Sequence, residues 1–468
     1  MKIEIVDFAA KNQGGLSMKK RFWVLGGSLF ILFGVVGAVL LLIPQSRSYL
    51  RSVYRTYLTD RRPNFLVIIT DDQRYDTMQY MPETQAMIFD QGVTFDRAYV
   101  TTPLCCPSRV SIFTGDYAHN TGVWVNQDKN TMRTLMQDLH AHGYFTGLVG
   151  KYLNSWDGEK RPEFDFWVSY FGGESEYIDP SLNNNGYWQK HIGYITDILG
   201  TYSIEFVDAA VRSDRPWILV YTPIAPHYPT TPYPGDLNKH TDLAPYRPPS
   251  FNEADVSDKT LWMQQTPLLD DATINEIDTY RRDQILTLLP LDRAIATLLT
   301  RLETKGELDN TVVLFISDNG MFWGEHRQFN KNYYYEEAIK VPFAIRYPDL
   351  IPQPYHESSI VANIDIAPTI YDLSGVKPAH AMDGRSLVDL IHGAGWREGV
   401  LIEGGEAEAR YYAWVTEKYI LGMKEGDRLE LYDMASDPYQ LNSLTEDPAY
   451  SDLIADFLQQ ITLNSGKH

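Results

Sequence analysis

Three short apolar runs leave this chain little choice of fold. Phe65-Leu-Val-Ile-Ile-Thr70, Trp217-Ile-Leu-Val-Tyr221 and Thr311-Val-Val-Leu-Phe-Ile-Ser317 are continuous and rich in β-branched or aromatic residues. Such runs read as strands covered on both faces, the mark of a parallel sheet in an α/β domain. Each one ends in polar chemistry. Asp71-Asp72 follows the first, Pro226-His227-Tyr-Pro229 lies just beyond the second, and Asp318-Asn319-Gly320 follows the third. Ligands gather at the carboxyl ends of strands in open α/β sheets. Paired carboxylates there repel unless a positive charge lies between them, and hard oxygen donors suit Ca²⁺ or Mg²⁺. If the first and third strands share a sheet, three acids and one amide converge on one edge. Standing alone, Asp71-Asp72 would read as a solvated turn or helix cap, and His227 as a satisfied loop histidine.

Other stretches fill in the frame. Glu276 to Lys305 carries apolar residues at helical spacing (Ile285, Leu288, Leu291, Ile295, Leu298 and Leu302), with an expected break at Pro290 and a cap at Gly306. This is the pattern of a helix packed on the sheet. Thr146 to Val149 reads as a further strand leading to Gly150-Lys151. Beyond about Gly393, the stretches from Val400, Tyr411, Tyr419 and Leu429 read as short strands around glycine-containing turns, with a last helix from about Pro448 to Ile461.

Both cysteines of the chain sit side by side at Cys105-Cys106, followed by Pro107-Ser108-Arg109. Neighbouring cysteines cannot reach the relaxed geometry of a disulfide, so they are no structural staple. The bland reading is a pair of buried, inert thiols. Arg109 to Thr114 reads as a short helix, which puts Cys105 near a helix N-terminus, where backbone N–H groups and the dipole favour an anion. Arg109 alone could be a surface charge, and Lys151 a solvated loop lysine.

Cys105-Cys106-Pro-Ser-Arg109 with Thr114-Gly115 resembles the signature of the type I sulfatases. Four further stretches resemble that family in its order: Asp71-Asp72, Gly150-Lys151-Tyr-Leu-Asn154, Pro226-His227-Tyr-Pro229, and Asp318-Asn319-Gly320 with Gly324-Glu-His326 and Lys331. The Gly-Lys-Tyr-Leu-Asn stretch is closest to the N-acetylglucosamine-6-sulfatase branch. The resemblance implies an alkaline-phosphatase-like sandwich with a large, mostly parallel central sheet over residues 64–393, and a small C-terminal antiparallel subdomain over 394–468. It implies that Cys105 is oxidised before folding to formylglycine by a formylglycine-generating enzyme. The hydrate of that aldehyde attacks sulfur with help from Asp318, and its second hydroxyl then collapses to release sulfate. It implies Asp71, Asp72, modified Cys105, Asp318 and Asn319 as ligands of the cation. Arg109 would steady the site, Lys151 and Lys331 would hold the sulfate, and His227 or Lys331 would protonate the leaving alcohol. His326 is a lesser candidate for proton transfer. One departure matters. Many sulfatases carry a histidine two residues after this lysine, where this chain has Leu153, so the base of the second step stays unassigned.

The expected substrate is a sulfated sugar, with a 6-sulfated amino sugar favoured by the branch resemblance, or a small sulfate ester. Two rivals are a formylglycine-dependent phosphonate monoester or phosphodiester hydrolase, and a non-catalytic membrane-anchored glycan-binding protein on the same fold. A formal net charge of −20 excludes a general nucleic-acid binder, which needs a basic stripe.

At the N-terminus, Phe22 to Ile43 holds no charged residue and follows Lys19-Lys20-Arg21. At ~1.5 Å per residue it spans roughly 33 Å, enough for a hydrocarbon core of about 30 Å. Residues 22–43 are therefore expected to be a transmembrane anchor, with 1–21 as a cytoplasmic tail and 44–63 as a linker. A cleaved signal peptide is the alternative. The catalytic domain is expected outside the cytoplasm, because a lone N-terminal anchor usually serves export, and the lack of any N-glycosylation sequon favours a bacterial periplasm or cell surface.

Overall fold

The computed structural model describes residues 62–466 apart from Glu408. The expected anchor at 22–43, its tail and nearly all of the linker lie outside the described residues. Among those residues, no helix is long and apolar enough to cross a membrane.

Ten strands form one large sheet: β1 (Asn64–Thr70), β2 (Val93–Tyr99), β3 (Phe145–Gly150), β4 (Phe166–Ser169), β5 (Ser181–Asn184), β6 (Tyr187–Lys190), β7 (Trp217–Thr222), β8 (Thr311–Ser317), β9 (Phe343–Arg346) and β10 (Tyr355–Ala362). Their order across the sheet is β10-β2-β9-β8-β1-β7-β3-β4-β5-β6. The middle block, β8-β1-β7-β3-β4, is wholly parallel. The sheet as a whole is mixed rather than purely parallel, because β9 runs against β8 and β2, and β5 runs against β4 and β6.

The three apolar runs are β1, β7 and β8, side by side and buried at every position. Side chains alternate between the faces of a strand, so β1 feeds two cores. Phe65, Val67 and Ile69 face a cluster that includes Val110, Ile112 and Phe113 of helix α1 (Cys105–Thr114). Leu66 and Ile68 face one built by α2 (Ile195–Ser213) and α3 (Asp271–Lys305), through Phe206, Leu291, Ile295 and Leu298. Helices thus cover both faces, which is why these strands carry no polar alternation.

Helix α3 corrects one expectation. It starts at Asp271, where the Asp270 side chain accepts the Thr273 N–H at 2.8 Å, and runs unbroken through Pro290 to Lys305. Pro290 removes one backbone N–H donor, but Leu286, Leu288, Leu291 and Ile295 are buried on either side of it, and this packing carries the helix through.

A separate four-stranded antiparallel sheet follows: β11 (Gly399–Gly404), β12 (Tyr411–Thr416), β13 (Tyr419–Lys424) and β14 (Leu429–Asp433), in chain order. The last helix, α4 (Ser451–Asn464), packs on it through Phe457 and Ile461. The same apolar cluster takes in Tyr99, Tyr334 and Ile360, so the small sheet shares a core with the large one.

Candidate active site

Register brings the site together. Thr70 of β1 stands opposite Ser317 of β8, so Asp71-Asp72 and Asp318-Asn319 leave the sheet at the same level. On the other side, Gly150 of β3 stands opposite Thr222 of β7, which sets Lys151 at that edge too. Asp72 adopts a left-handed backbone conformation (φ 65°), uncommon for a residue with a side chain. That turn lets its N–H donate to Asp318 Oδ1 at 3.2 Å.

Cys105 begins α1, as expected, and it is 1% exposed. Its Sγ lies 3.5 Å from Asp71 Oδ1, and Lys331 Nζ approaches it to 2.7 Å while also bonding Asp72 Oδ1. Lys151 Nζ donates to Asp71 Oδ2 at 2.6 Å, and Arg109 Nε donates to Asp318 Oδ2 at 2.8 Å. Arg109 also donates to the Lys151 carbonyl at 3.1 Å, tying the end of β3 to the centre. Neither Arg109 nor Lys151 is a surface charge; both are fully buried. His227 Nε2 faces Asp72 Oδ2 at 3.8 Å, while its Nδ1 lies 2.8 Å from the Tyr228 carbonyl. That carbonyl can only accept, so Nδ1 carries a proton and Nε2 is the working nitrogen.

Asp71, Asp72, Cys105, Arg109, Lys151, His227, Asp318, Asn319 and Lys331 therefore lie together at this edge. Metal-binding atoms of Asp71, Asp72, Cys105 and His227 lie within 4.8 Å of one another. Asp318 and Asn319 join through Asp72, Asn319 Nδ2 donating to Asp72 Oδ1 at 2.6 Å. Asn319 Oδ1, by contrast, is buried with no hydrogen-bond partner. An unsatisfied buried acceptor is costly, and an amide oxygen next to this cluster is a donor type that suits a hard cation. The cluster of Asp71, Asp72, Cys105 and His227 is thus compatible with a bound metal ion, with His227 as its nitrogen donor.

Electrostatics follow from crowding. Burial works against the charged form of Asp71, yet Lys151, His227, Arg109 and Lys331 together hold its carboxyl far below the ordinary range. Burial and the Asp71 charge push Asp318 the other way, upward, against the three cations. Burial pushes the Cys105 thiol up to about 12 despite Lys151 and Lys331. At neutral pH it is a protonated thiol and a poor nucleophile.

Two histidines stay out. His326 is fully buried, 2.8 Å from Glu253 and stacked on Tyr335, and burial pushes it down to about 3. His119 pairs with Glu403 at 3.0 Å. One neighbour was not foreseen. Tyr170, just past β4, is buried with an unpartnered hydroxyl and feels the charges of Asp71, Arg109 and Asp318. Its strand has only four residues, too short a signal to mark its end as part of this edge.

Comparison with known proteins agrees with this geometry. A family model described as Sulfatase matches residues 63–376, and one described as N-sulphoglucosamine sulphohydrolase, C-terminal, matches 324–466. The putative extracellular sulfatase Sulf-1 homolog of Caenorhabditis elegans is 33% identical over 408 residues, covering 81% of this chain and 56% of that protein. The human N-acetylglucosamine-6-sulfatase is 34% identical over 375 residues, covering 73% of this chain and 67% of its own length. The chain thus spans little more than half of the nematode relative and about two thirds of the human one. A solved structure described as a complex with its substrate D-glucosamine-2-N,6-O-disulfate has a TM-score of 0.77 and 26% identity, covering 87% of this chain and 98% of that one. The phosphonate monoester hydrolase of Agrobacterium radiobacter has a TM-score of 0.71 at 20% identity, over 87% and 96% of the two chains, a likeness of fold alone.

Proposed function

Given that this chain belongs to the sulfatase family, we propose that it hydrolyses the sulfate ester of a sulfated sugar, with 6-O-sulfated glucosamine as the favoured class. The observation that carries this reading is the pair of lysines at Cys105. Lys331 bonds the thiol and Asp72 at once, and Lys151 closes on Asp71 behind it. A thiol held near 12 has no use for two ammonium groups. An oxygen nucleophile and a sulfate ester monoanion do, since fixed cations around developing negative charge are a large catalytic term.

In this reading Cys105 is converted to formylglycine, whose hydrate supplies one hydroxyl for attack on sulfur and a second to expel sulfate. The cation would be held by Asp71, Asp72, Asp318 and Asn319 with the modified residue, and would stabilise charge on the nucleophile and the sulfate oxygens. Lys151 and Lys331 grip the sulfate, while Arg109 fixes the Asp318 carboxylate and the end of β3. Asp318, whose carboxyl is raised by burial and by Asp71, is suited to take a proton during attack. His227 Nε2, oriented by the bond at Nδ1, gives the proton to the leaving alcohol. The apolar run at 22–43 anchors the chain in this reading, with the catalytic domain outside the cytoplasm, as the word extracellular in the name of the nematode relative suggests. Cell fractionation with protease shaving tests that placement, and recovery of the domain in the protected cytoplasmic fraction would overturn it.

Mass spectrometry of the peptide holding Cys105 and Cys106 should find an aldehyde at the first and a thiol at the second. Cys105→Ala should lose at least ~10³-fold in turnover, on the scale of removing a nucleophile. An intact thiol in fully active enzyme would sink the proposal. Sulfate, phosphonate and phosphodiester substrates assayed side by side should favour sulfate, and a dominant phosphodiesterase rate would instead assign the hydrolase alternative.

A further inference from the structure

The segment that leaves the candidate site after Lys151 leads to a group of aromatic rings, two of which are exposed among the described residues. Ser155 Oγ lies 3.9 Å from Cys106 Sγ, beside the reacting residue. The next residue, Trp156, is buried, and its ring centroid lies 6.4 Å from that of Phe171 and 6.1 Å from that of Trp188. Phe171 is 59% exposed and Trp188 46%. Phe171 also follows Tyr170 directly, the tyrosine whose hydroxyl feels Asp71 and Arg109. Two routes along the chain thus connect the reacting centre to these rings.

The rings are arranged as a cradle. Gly158 lies between them, and a Cβ there would meet Phe171 at 3.5 Å and Trp188 at 4.0 Å. Its φ of +91° favours glycine, so the backbone turns beside the two rings at this point. Side chains alternate along β6, so Trp188 and Lys190 share one face while Tyr187 and Gln189 take the other. Lys190 is exposed and, among the described residues, makes no ion pair. Exposed apolar rings cost solvation and mark sites of interaction. An amphipathic ring with apolar C–H faces and an anionic substituent matches this mix of flat aromatic surface and free ammonium.

We infer that Phe171 and Trp188, floored by Trp156, form a subsite that stacks the sugar ring next to the sulfated one, with Lys190 paired to an anionic group on that sugar. This rests on the sulfated-sugar reading above. The enzyme then acts on the end of an anionic oligosaccharide and not only on a free sulfated monosaccharide. Both rings are exposed, so their removal leaves the core intact.

The test compares Trp188→Ala, Phe171→Ala and Lys190→Ala with Tyr187→Ala, which alters the opposite face of the same strand. The substrates are glucosamine 6-sulfate and a sulfated tetrasaccharide ending in that sugar. The first three variants should raise KM for the tetrasaccharide by roughly tenfold, the scale of a single lost contact, with kcat and all monosaccharide constants unchanged. Tyr187→Ala should change neither. Equal losses on both substrates, or no loss on either, would overturn the subsite. A parallel titration follows tryptophan fluorescence of the wild type with a tetrasaccharide that lacks the 6-sulfate. Quenching that disappears in Trp188→Ala supports the subsite even if sulfate hydrolysis is not found. Absent quenching in an enzyme that does turn over the tetrasaccharide overturns the subsite alone. Sedimentation showing a dimer that Trp188→Ala or Tyr187→Ala dissociates would reassign the surface to contact between copies.

Discussion

Glu253 and His326 form a buried pair whose titrations oppose each other. Burial pushes the Glu253 carboxyl from its ordinary 4.5 up to about 7, against the pull of Lys259. Burial and the Lys259 charge push His326 from 6.5 down to about 3. Taken alone, raised Glu253 stabilises the fold fully below pH 4.5, and that stability drains away as pH rises toward 7. Taken alone, depressed His326 stabilises it above pH 6.5, and that stability drains away as pH falls toward 3. Between about 4.5 and 6.5 the folded pair holds one proton on Glu253, and the unfolded pair holds one on His326, so the two slopes cancel. Thermal midpoints measured across this window should rise with pH more steeply in Glu253→Gln than in the wild type, and should fall with pH in His326→Gln. Parallel slopes in the two variants would contradict the pairing. At the centre, the same residue-level reasoning separates the two cysteines. The Cys106 N–H donates to Asn126 at 3.0 Å and its side chain sits in the apolar core, whereas Cys105 alone touches the cations.

At the scale of elements, strand ends do the positioning. Gly150 closes β3 with φ +117°, and a Cβ there would fall 1.9 Å from the Thr222 carbonyl oxygen of β7. Gly150→Ala should destabilise the protein by roughly 2–5 kcal/mol, combining backbone strain with a forced separation of the strands. Because Lys151 follows directly, turnover should fall further than the fraction folded explains. Denaturant unfolding alongside kinetics measures both, and a fully stable, fully active variant would refute the account. Elements also show what could be read from sequence. β1, β7 and β8 were legible because burial on both faces leaves unbroken apolar runs, and their ends delivered Asp71, Asp72 and Asp318. Helix α3 was legible in its lower half, but Pro290 masked its continuity, since a sequence rule for proline does not see the leucines packed around it. β5 and β6 were illegible for the opposite reason. Ser181–Asn184 is polar and Tyr187–Lys190 is exposed throughout, so neither carries a burial period. Tyr170 went unseen because β4 did. The carboxylates of the candidate site stood out in residue type and order, while the approach of His227 to Asp72 depends on the fold of its loop.

Across the whole molecule, charge and chemistry are in tension. The chain carries a formal −20, while its candidate substrate is an anion and two of its site cations, Arg109 and Lys151, are fully buried and ion-paired to carboxylates. Long-range repulsion should therefore slow encounter, and salt screens it with a Debye length near 10 Å at 0.1 M. For a small sulfated monosaccharide, kcat/KM should rise by about two- to fivefold as ionic strength goes from 0.01 to 0.15 M, reversing the trend of a basic enzyme steering its substrate. A fall over that range would mean that a local positive field governs approach.

The burial of Cys105 also has a consequence for how the protein is made. A side chain 1% exposed, at the start of a helix whose ten residues are all buried, offers no grip to another enzyme. Under the proposed conversion to formylglycine, the thiol must then react before folding, at a time when the segment is still extended. In that reading a molecule that folds first keeps its inert thiol, and later addition of a modifying enzyme is expected not to rescue it. The active fraction of any preparation would record the outcome, set by the relative supply of modifying enzyme and nascent chain in the host.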